Sequence, residues 1–134
     1  METELARLNP RCDRYAPRLV REALAELADL GWIAGDAMLV ATELVSNAVR
    51  HSLATADDQL DVRIFRDDEL LRISVRDPGT SGRTARMPDQ PDASGGLGLM
   101  VVDQLSASWG SQRHPDGYEV WAELRLGAPA LCGC

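Results

Sequence analysis

The chain of 134 residues has the length of one domain, and its 45% hydrophobic and 26% charged content is that of an ordinary globular protein. Its formal net charge of −7 argues against a nucleic-acid partner, because phosphate backbones are held by concentrated positive charge. The sequence contains arginine but no lysine, which excludes sites that require a lysine, such as a Walker A loop or a Schiff base.

The first half of the chain is typical of a short strand followed by two helices. The segment "ELARL" predicts the strand. The residues over 16–31 predict the first helix. Pro17 suits its first turn, and Gly31 is placed to end it. The second predicted helix runs from about Asp36, the expected N-cap, to about Ser52.

The second half predicts two β-hairpins with a helix between them. Apolar residues alternate in "DQLDVRIFRDD" and "ELLRISVRD", and Asp67 and Asp68 form the expected turn. "GLGLMVVDQLSA" predicts a short helix opened by glycines, and "SWGSQRH" and "YEVWAEL" predict the second hairpin. We therefore expect an α+β two-layer sandwich, with a mixed, mostly antiparallel sheet and helices on one face. We expect this sandwich to be a single domain over 1–126, followed by a flexible tail at 127–134.

Cysteine usage and hydropathy bound the cellular context. Cys12, Cys132 and Cys134 are odd in number and lack the spacing of a zinc site, which favours a structural or incidental role. The sequence shows no signal peptide and no apolar run of membrane-spanning length. We expect a cytoplasmic protein with reduced thiols and no membrane contact.

A polar stripe runs along the second predicted helix. Glu43, Asn47 and His51 recur every four residues in "ATELVSNAVRHS". On a helical wheel Ser46 and Arg50 fall beside them, opposite the apolar residues. A solvated helix face is the default interpretation of such a pattern, and a binding site is the alternative.

Two later segments favour the binding site. "VRDPG" ends a strand in Asp77, which is either a turn residue or a buried acceptor for an exocyclic amine such as that of adenine. Gly79 would let a flat base approach the backbone. Glycines at 95–99 are either loop residues or expose helix N-terminal amides to phosphate. With Glu43 as a general base and Asn47 as a hard oxygen ligand, these segments would make a nucleotide site without lysine.

The segments "ELVSNAVRH", "VRDPG" and "GGLGLMVVDQLSASWG", in that order, resemble the N, G1 and G2 boxes of the GHKL (Bergerat-fold) ATPase superfamily. The resemblance covers about residues 5–126 and is strongest to anti-sigma-factor serine kinases and related actinobacterial ATP-binding regulators. It implies ATP and Mg²⁺ as cofactors, Glu43 as the catalytic base, Asn47 as the Mg²⁺ ligand and Asp77 as the adenine-reading carboxylate. The other nucleotide-binding positions that it implies are Arg50, His51, Gly79, Gly96, Leu97, Gly98 and Leu99, with 80–95 as the ATP lid.

The function that this resemblance implies is a serine/threonine-protein kinase that phosphorylates an anti-anti-sigma partner of STAS type and sequesters a sigma factor. It implies no direct nucleic-acid contact and allows for a homodimer. Two alternatives are a non-catalytic ATP-binding module that regulates a partner through its lid, and a scaffold whose pocket takes no nucleotide.

The chain departs from the family pattern at two places. "DPGTSG" lacks the second glycine of the fuller box, and Glu119 stands where the last strand commonly has a threonine. Since phosphate repels a carboxylate, we expect Glu119 either to point away from the nucleotide or to weaken its binding.

Overall fold

The computed structural model of the chain describes residues 2–27, 30–51, 55, 57–78 and 96–127. The predicted lid over 80–95 and the predicted tail beyond residue 127 lie outside these residues. The helices are α1 (Ala16–Ala25), α2 (Ala34–His51) and α3 (Gly96–Leu105). The strands are β1 (Thr3–Leu8), β2 (Asp61–Arg66), β3 (Leu70–Asp77), β4 (Ser108–His114) and β5 (Gly117–Arg125).

The five strands form one sheet in the order β1-β2-β3-β5-β4. Every pairing between these strands is antiparallel, so the sheet, expected to be mixed and mostly antiparallel, contains no parallel pair among the described strands. Both predicted hairpins are confirmed. In the first turn Asp67 Oδ1 accepts hydrogen bonds from the backbone N–H groups of Glu69 at 2.7 Å and Leu70 at 2.8 Å.

The helices cover one face of the sheet, which confirms the α+β sandwich. Alternate residues of β2, β3 and β5 are buried on this face, as period-two strands require. Helix α2 is central in the helix layer, since it contacts α1, α3, β3 and β5. The largest fully buried side chains at this interface are Leu24, Leu44, Ile64, Leu71, Ile73, Leu99 and Leu124. Of the described helices, none is long and apolar enough to cross a bilayer.

The helix boundaries differ from those expected around Gly31. Helix α1 ends at Ala25, and Gly31, with φ of 56°, opens a 3-10 turn at Gly31–Ile33 that leads into α2. Leu30 and Ile33 are both buried, so this turn redirects the chain to bring two apolar side chains into the core. Asp36 lies within the first turn of α2 and is not its N-cap.

We call the sheet face opposite the helices the open face. Ion pairs join charged residues of this face to one another and to the β4–β5 turn. The ion pairs are Arg7–Asp61, Arg63–Asp61, Arg72–Glu123, Arg76–Asp116 and His114–Glu119. The guanidinium of Arg72 also lies 4.6 Å from the centre of the Trp121 ring. Ion pairs with a well-exposed member, such as Arg7–Asp61 and Arg76–Asp116, contribute little to stability, whereas His114 and Glu119 are both half-buried.

Candidate functional site

The polar stripe of α2 is partly buried and partly exposed. Leu44 and Val45 are fully buried, as the helical wheel predicts. Asn47, however, is also 0% exposed, while Glu43 is half-buried and Arg50 is exposed. Burying an amide costs free energy unless its hydrogen bonds are made. A fully buried asparagine between a helix and a sheet therefore needs partners, and a binding site supplies a reason for it.

Two hydrogen bonds fix the Asn47 amide. Its Nδ2 donates to the backbone carbonyl of Glu43 at 3.0 Å, one helical turn earlier. Its Oδ1 accepts from Arg50 Nη2 at 3.4 Å. A carbonyl oxygen has two lone pairs, so Oδ1 can accept from Arg50 and still bind a second group. These contacts place the Arg50 guanidinium beside the Asn47 amide, and the roles predicted for Glu43, Asn47 and Arg50 stay predictions.

Asp77 ends β3 on the helix-facing side of the sheet. It is 4% exposed and continues the buried alternation of Ile73 and Val75. Asp77 lies directly opposite Tyr118 of β5, and a side chain on Gly117 would overlap the Asp77 backbone oxygen. The end of β3 is thus held tightly by β5, with a buried carboxylate facing the helix layer.

Cys12 lies in the same electrostatic environment. Burial raises the pKa of its thiol, and the negative charges of Asp77, Asp58 and Asp13 raise it further. Its backbone N–H donates to the carbonyl of Asp58 at 2.8 Å. Since the thiol stays neutral and 5% exposed, it acts as a packing group, in agreement with the structural role favoured from the sequence.

The predicted phosphate-binding segment opens α3. The helix begins at Gly96, so the backbone amides of Gly96 and Gly98 belong to its first turn, where N–H groups have no intrahelical acceptor. The side chain of Leu99 is fully buried in the core, so only its backbone can serve a ligand. Gly79 and the side chains of His51 and Leu97 lie outside the described part of the chain.

Glu119 lies on the open face, on the side of the sheet away from Asp77. Its Oε2 accepts a hydrogen bond from Ser74 Oγ at 2.6 Å, and its Oε1 lies 2.7 Å from His114 Nε2. Burial opposes ionisation of this carboxyl, but the hydrogen bonds from Ser74 and His114, with the charges of His114 and Arg72, outweigh burial and lower its pKa. Of the two outcomes expected for Glu119, the structure agrees with the first, because its side chain points away from the face that carries Asp77.

Tyr118 is the β5 residue directly opposite Asp77, and sequence reasoning did not identify it. Its neighbour Val120 is buried on the helix side, and strand alternation from Val120 puts Tyr118 on that side and Glu119 on the other. That alternation was readable in "YEVWAEL" and would have identified Tyr118 from the sequence.

One side-chain oxygen in this region, that of Asn47, suits Mg²⁺ as a ligand. The described residues hold no group of three or more His, Cys, Asp or Glu side chains that could bind a metal ion. Mg²⁺ commonly takes one or two protein oxygens and completes its octahedron with phosphates and water. The Asn47 Oδ1 suits this role, because it is a neutral hard oxygen held in a fixed orientation.

Comparison with known proteins identifies the family and a structure of similar fold. Residues 9–124 match the model of the histidine kinase-like ATPase domain. The curated proteins give no match to the chain. A solved structure of the RsbU and RsbW domains of Rv1364c from Mycobacterium tuberculosis is similar, with 24% identity and a TM-score of 0.68 over 92% of this chain.

The similar region is 33% of the Mycobacterium tuberculosis chain, so this protein spans about a third of that neighbour's length. At this identity the likeness shows the shared fold. The family model covers most of the chain, and it confirms the GHKL resemblance of the N, G1 and G2 boxes. The chain belongs to the histidine kinase-like ATPase domain family.

Proposed function

We propose that this protein is an ATP-dependent protein kinase whose nucleotide site lies between α2 and the sheet. The burial of two polar side chains on facing surfaces carries the proposal. Asn47 is fully buried on α2, and Asp77 is nearly so on β3, against which α2 packs. A core without a ligand site has little use for an amide and a carboxylate in these positions, because each costs free energy to desolvate.

Different residues of the described part of the chain bind different parts of the nucleotide in this proposal. Asp77 accepts a hydrogen bond from the amino group of adenine, since an ionised carboxylate can only accept. The first turn of α3 offers backbone N–H groups and the positive end of the helix dipole to the phosphates. Asn47 Oδ1 would hold Mg²⁺, which would supply positive charge beside the phosphate oxygens.

Glu43 is the proposed catalytic base. Its half-buried side chain starts one helical turn before Asn47, so it borders the same space. It accepts the proton of a serine hydroxyl as the serine oxygen bonds to the γ-phosphorus and the bond to the ADP oxygen breaks. The products are ADP and a phosphoserine on the protein partner.

The partners follow from the anti-sigma branch of the family. The phosphoacceptor is an anti-anti-sigma protein of STAS type, and the sequestered partner is a sigma factor. The likeness to a chain that contains an RsbW domain supports this branch. The net charge of −7 suits a partner with basic patches.

The alternative function, a non-catalytic ATP-binding module, loses the observation that favoured it. That alternative drew on Glu119, whose charge was expected to weaken ATP binding. Because Glu119 is engaged by Ser74 and His114 on the open face, it does not contact a nucleotide beside Asp77. Phosphoryl transfer is therefore the function that we propose.

Two measurements test the proposal. Calorimetry with ATP and Mg²⁺ is expected to show binding, and no heat together with no thermal shift would refute a nucleotide site. A single-turnover assay with γ-labelled ATP and STAS-type proteins is expected to label a serine.

The matched variants are Glu43→Gln and Glu26→Gln, the second being an exposed glutamate at the end of α1. Glu43→Gln is expected to slow transfer by about 100-fold or more with ATP binding retained. Glu26→Gln is expected to behave as wild type. Equal transfer rates in all three proteins would remove Glu43 from the mechanism.

A further inference from the structure

The two edge strands of the sheet differ in how they are protected. An edge strand exposes backbone N–H and C=O groups that can pair with another chain, and charged side chains and an irregular register oppose such pairing. Strand β1 carries Glu4 and Arg7, and its register against β2 shifts between Glu4 and Ala6. Strand β4 runs for seven residues in unbroken register with β5, and Arg113 is its one residue with a permanent charge. The β4 edge therefore lacks the features that protect β1.

The outer edge of β4 can accept another strand. None of the other described strands pairs with it. His114 and Gly117 close a two-residue turn, so the backbone groups of His114 point toward β5. Because these groups alternate in direction along an antiparallel strand, those of Arg113, Ser111 and Trp109 point outward. Ser111 and Arg113 are also exposed, so outward-pointing donors and acceptors lie on an accessible strand.

The sequence of β4 is complementary to itself when two copies run antiparallel. With Ser111 opposite Ser111 of a second copy, all seven residues of each strand are paired. Trp109 then lies opposite Arg113 of the second copy, with Cβ atoms about 5 Å apart, and an arginine beside an indole ring is a favourable cation–π pair. The remaining pairs oppose no like charges, and they are Ser108 with His114 and Gly110 with Gln112.

Trp109 is held where this contact requires it. It pairs with the buried Ala122, so its side chain lies on the helix-facing side of the sheet. Its Nε1 donates a hydrogen bond to Asp103 Oδ1 at 2.9 Å. Trp109 is half-buried and Asp103 is exposed. Arg113 of a second copy would therefore lie near both an aromatic ring and a carboxylate that attracts it.

We propose that β4 is a homodimer interface, in which two copies of the chain pair their β4 strands antiparallel about a two-fold axis at Ser111. The pairing joins the two five-stranded sheets into one continuous sheet. Each Trp109–Arg113 contact occurs twice, and the symmetric contact closes after two copies, so it does not propagate into a fibre. The proposal concerns assembly and does not depend on the nucleotide site.

Charge substitutions at the two-fold axis test the pairing. Analytical ultracentrifugation of the full chain over a range of concentrations is expected to show a wild-type dimer. Ser111→Lys and Ser111→Glu each oppose two like charges, and each is expected to weaken the dimer at least about tenfold. An equimolar mixture of the two variants is expected to recover a dimer, because lysine then lies opposite glutamate. Recovery requires that position 111 lies opposite itself.

Controls cover the stability of the variants and the choice of edge. Both Ser111 variants lose the hydrogen bond that Tyr118 donates to Ser111 Oγ at 2.8 Å, so circular dichroism checks their folding. Arg113→Glu changes an exposed residue and is expected to weaken the dimer by itself, because it brings a carboxylate near Asp103 of the second copy. Thr3→Lys alters the exposed end of β1 and is expected to dimerise as wild type does.

Three results would overturn the inference. The first is a wild type that stays monomeric at every concentration. The second is a dimer that Arg113→Glu and the folded Ser111 variants leave unchanged. The third is a mixture of the two folded Ser111 variants that recovers no dimer. None of these results bears on ATP binding, which calorimetry measures separately.

Discussion

The side chain of Asn47 donates a hydrogen bond to the backbone carbonyl of Glu43, with 3.0 Å between Nδ2 and the oxygen. This bond links the proposed metal ligand to the turn of α2 that carries the proposed base. It holds the Asn47 amide in one orientation, with Oδ1 directed toward Arg50. The helix thereby pre-orients a ligand oxygen without using a neighbouring element, which lowers the cost of ordering it on binding.

Asn47→Ala is expected to separate binding from stability. Alanine is the best helix former, which offsets part of the lost hydrogen bond and the small cavity, so the free energy of unfolding should change by about 1 kcal/mol or less. The affinity for ATP with Mg²⁺ should fall at least about tenfold. Calorimetry and urea unfolding measure the two effects.

The matched control for Asn47 is Asn9→Ala. Asn9 Nδ2 also donates to a backbone carbonyl, that of Leu60 at 3.1 Å, but on the chain between β1 and α1. This variant should lose stability and bind ATP as wild type does. If both variants bind ATP normally, Asn47 has no part in the site.

Asp77→Asn is expected to impair recognition of adenine. The amide has one acceptor where the carboxylate has two, and it presents a donor to the donor of the base. Affinity should fall by about 1–3 kcal/mol, the usual cost of an unmade buried hydrogen bond. Asp116→Asn is the control, because Asp116 is 78% exposed in the adjacent β4–β5 turn and pairs with Arg76. Equal affinities in the two variants would contradict the role of Asp77.

The Glu119 cluster predicts a pH-dependent stability. Because the folded-state pKa of Glu119 lies below its ordinary value of 4.5, the ionised carboxylate stabilises the fold above that value, and this contribution is lost as pH falls through the lowered pKa. Glu119→Gln should cost about 1–3 kcal/mol near neutral pH, and the cost should shrink in strongly acidic solution.

Urea unfolding of wild type and Glu119→Gln between neutral and acidic pH measures this difference. Glu69→Gln changes an exposed carboxylate in the β2–β3 turn and should show no such convergence. A Glu119→Gln cost that is the same at every pH would mean that ionisation of Glu119 does not stabilise the fold.

Two glycine substitutions should have opposite effects. Gly117→Ala forces its new methyl group into the Asp77 backbone oxygen, so β5 or β3 must shift and stability should fall by at least about 1–3 kcal/mol. Gly35 lies in the first turn of α2 with open space around it, and Gly35→Ala should be neutral or stabilise by up to about 1 kcal/mol. Thermal unfolding measures both. Equal melting temperatures would show that the contact at Gly117 is easily relaxed.

The sequence predicted the features that depend on local periodicity. Alternation in "ELLRISVRD" and the apolar side of α2 were both correct, since each reflects which residues face the sheet–helix interface. The burial of Asn47 could not be read from the wheel. A helical wheel shows the direction of a side chain but not how deeply it is buried. The burial of Asn47 depends on α3 and the sheet, which are distant in sequence and pack against α2.

The expectations for Gly31 and Glu119 have different outcomes. Gly31 was expected to end a helix, but burial of Leu30 and Ile33 makes it the start of a 3-10 turn. For Glu119 two outcomes were expected, and strand alternation decides between them, because Tyr118 lies on the face that carries Asp77 and Glu119 lies on the opposite face. A shift of one residue along a strand exchanges the two faces of the sheet, so assigning a single position by resemblance is less secure than reading the alternation around it.

The paired charges of the open face have a consequence for how this protein meets other molecules. The five ion pairs contain four arginines and the carboxylates of Asp61, Glu123, Asp116 and Glu119, so with His114 neutral they carry no net charge. The formal charge of −7 is therefore carried by the remainder of the chain. A basic molecule approaching the sheet would meet little attraction from these pairs. Long-range acceleration of its association, and the sensitivity to ionic strength that accompanies it, would come from the other surfaces.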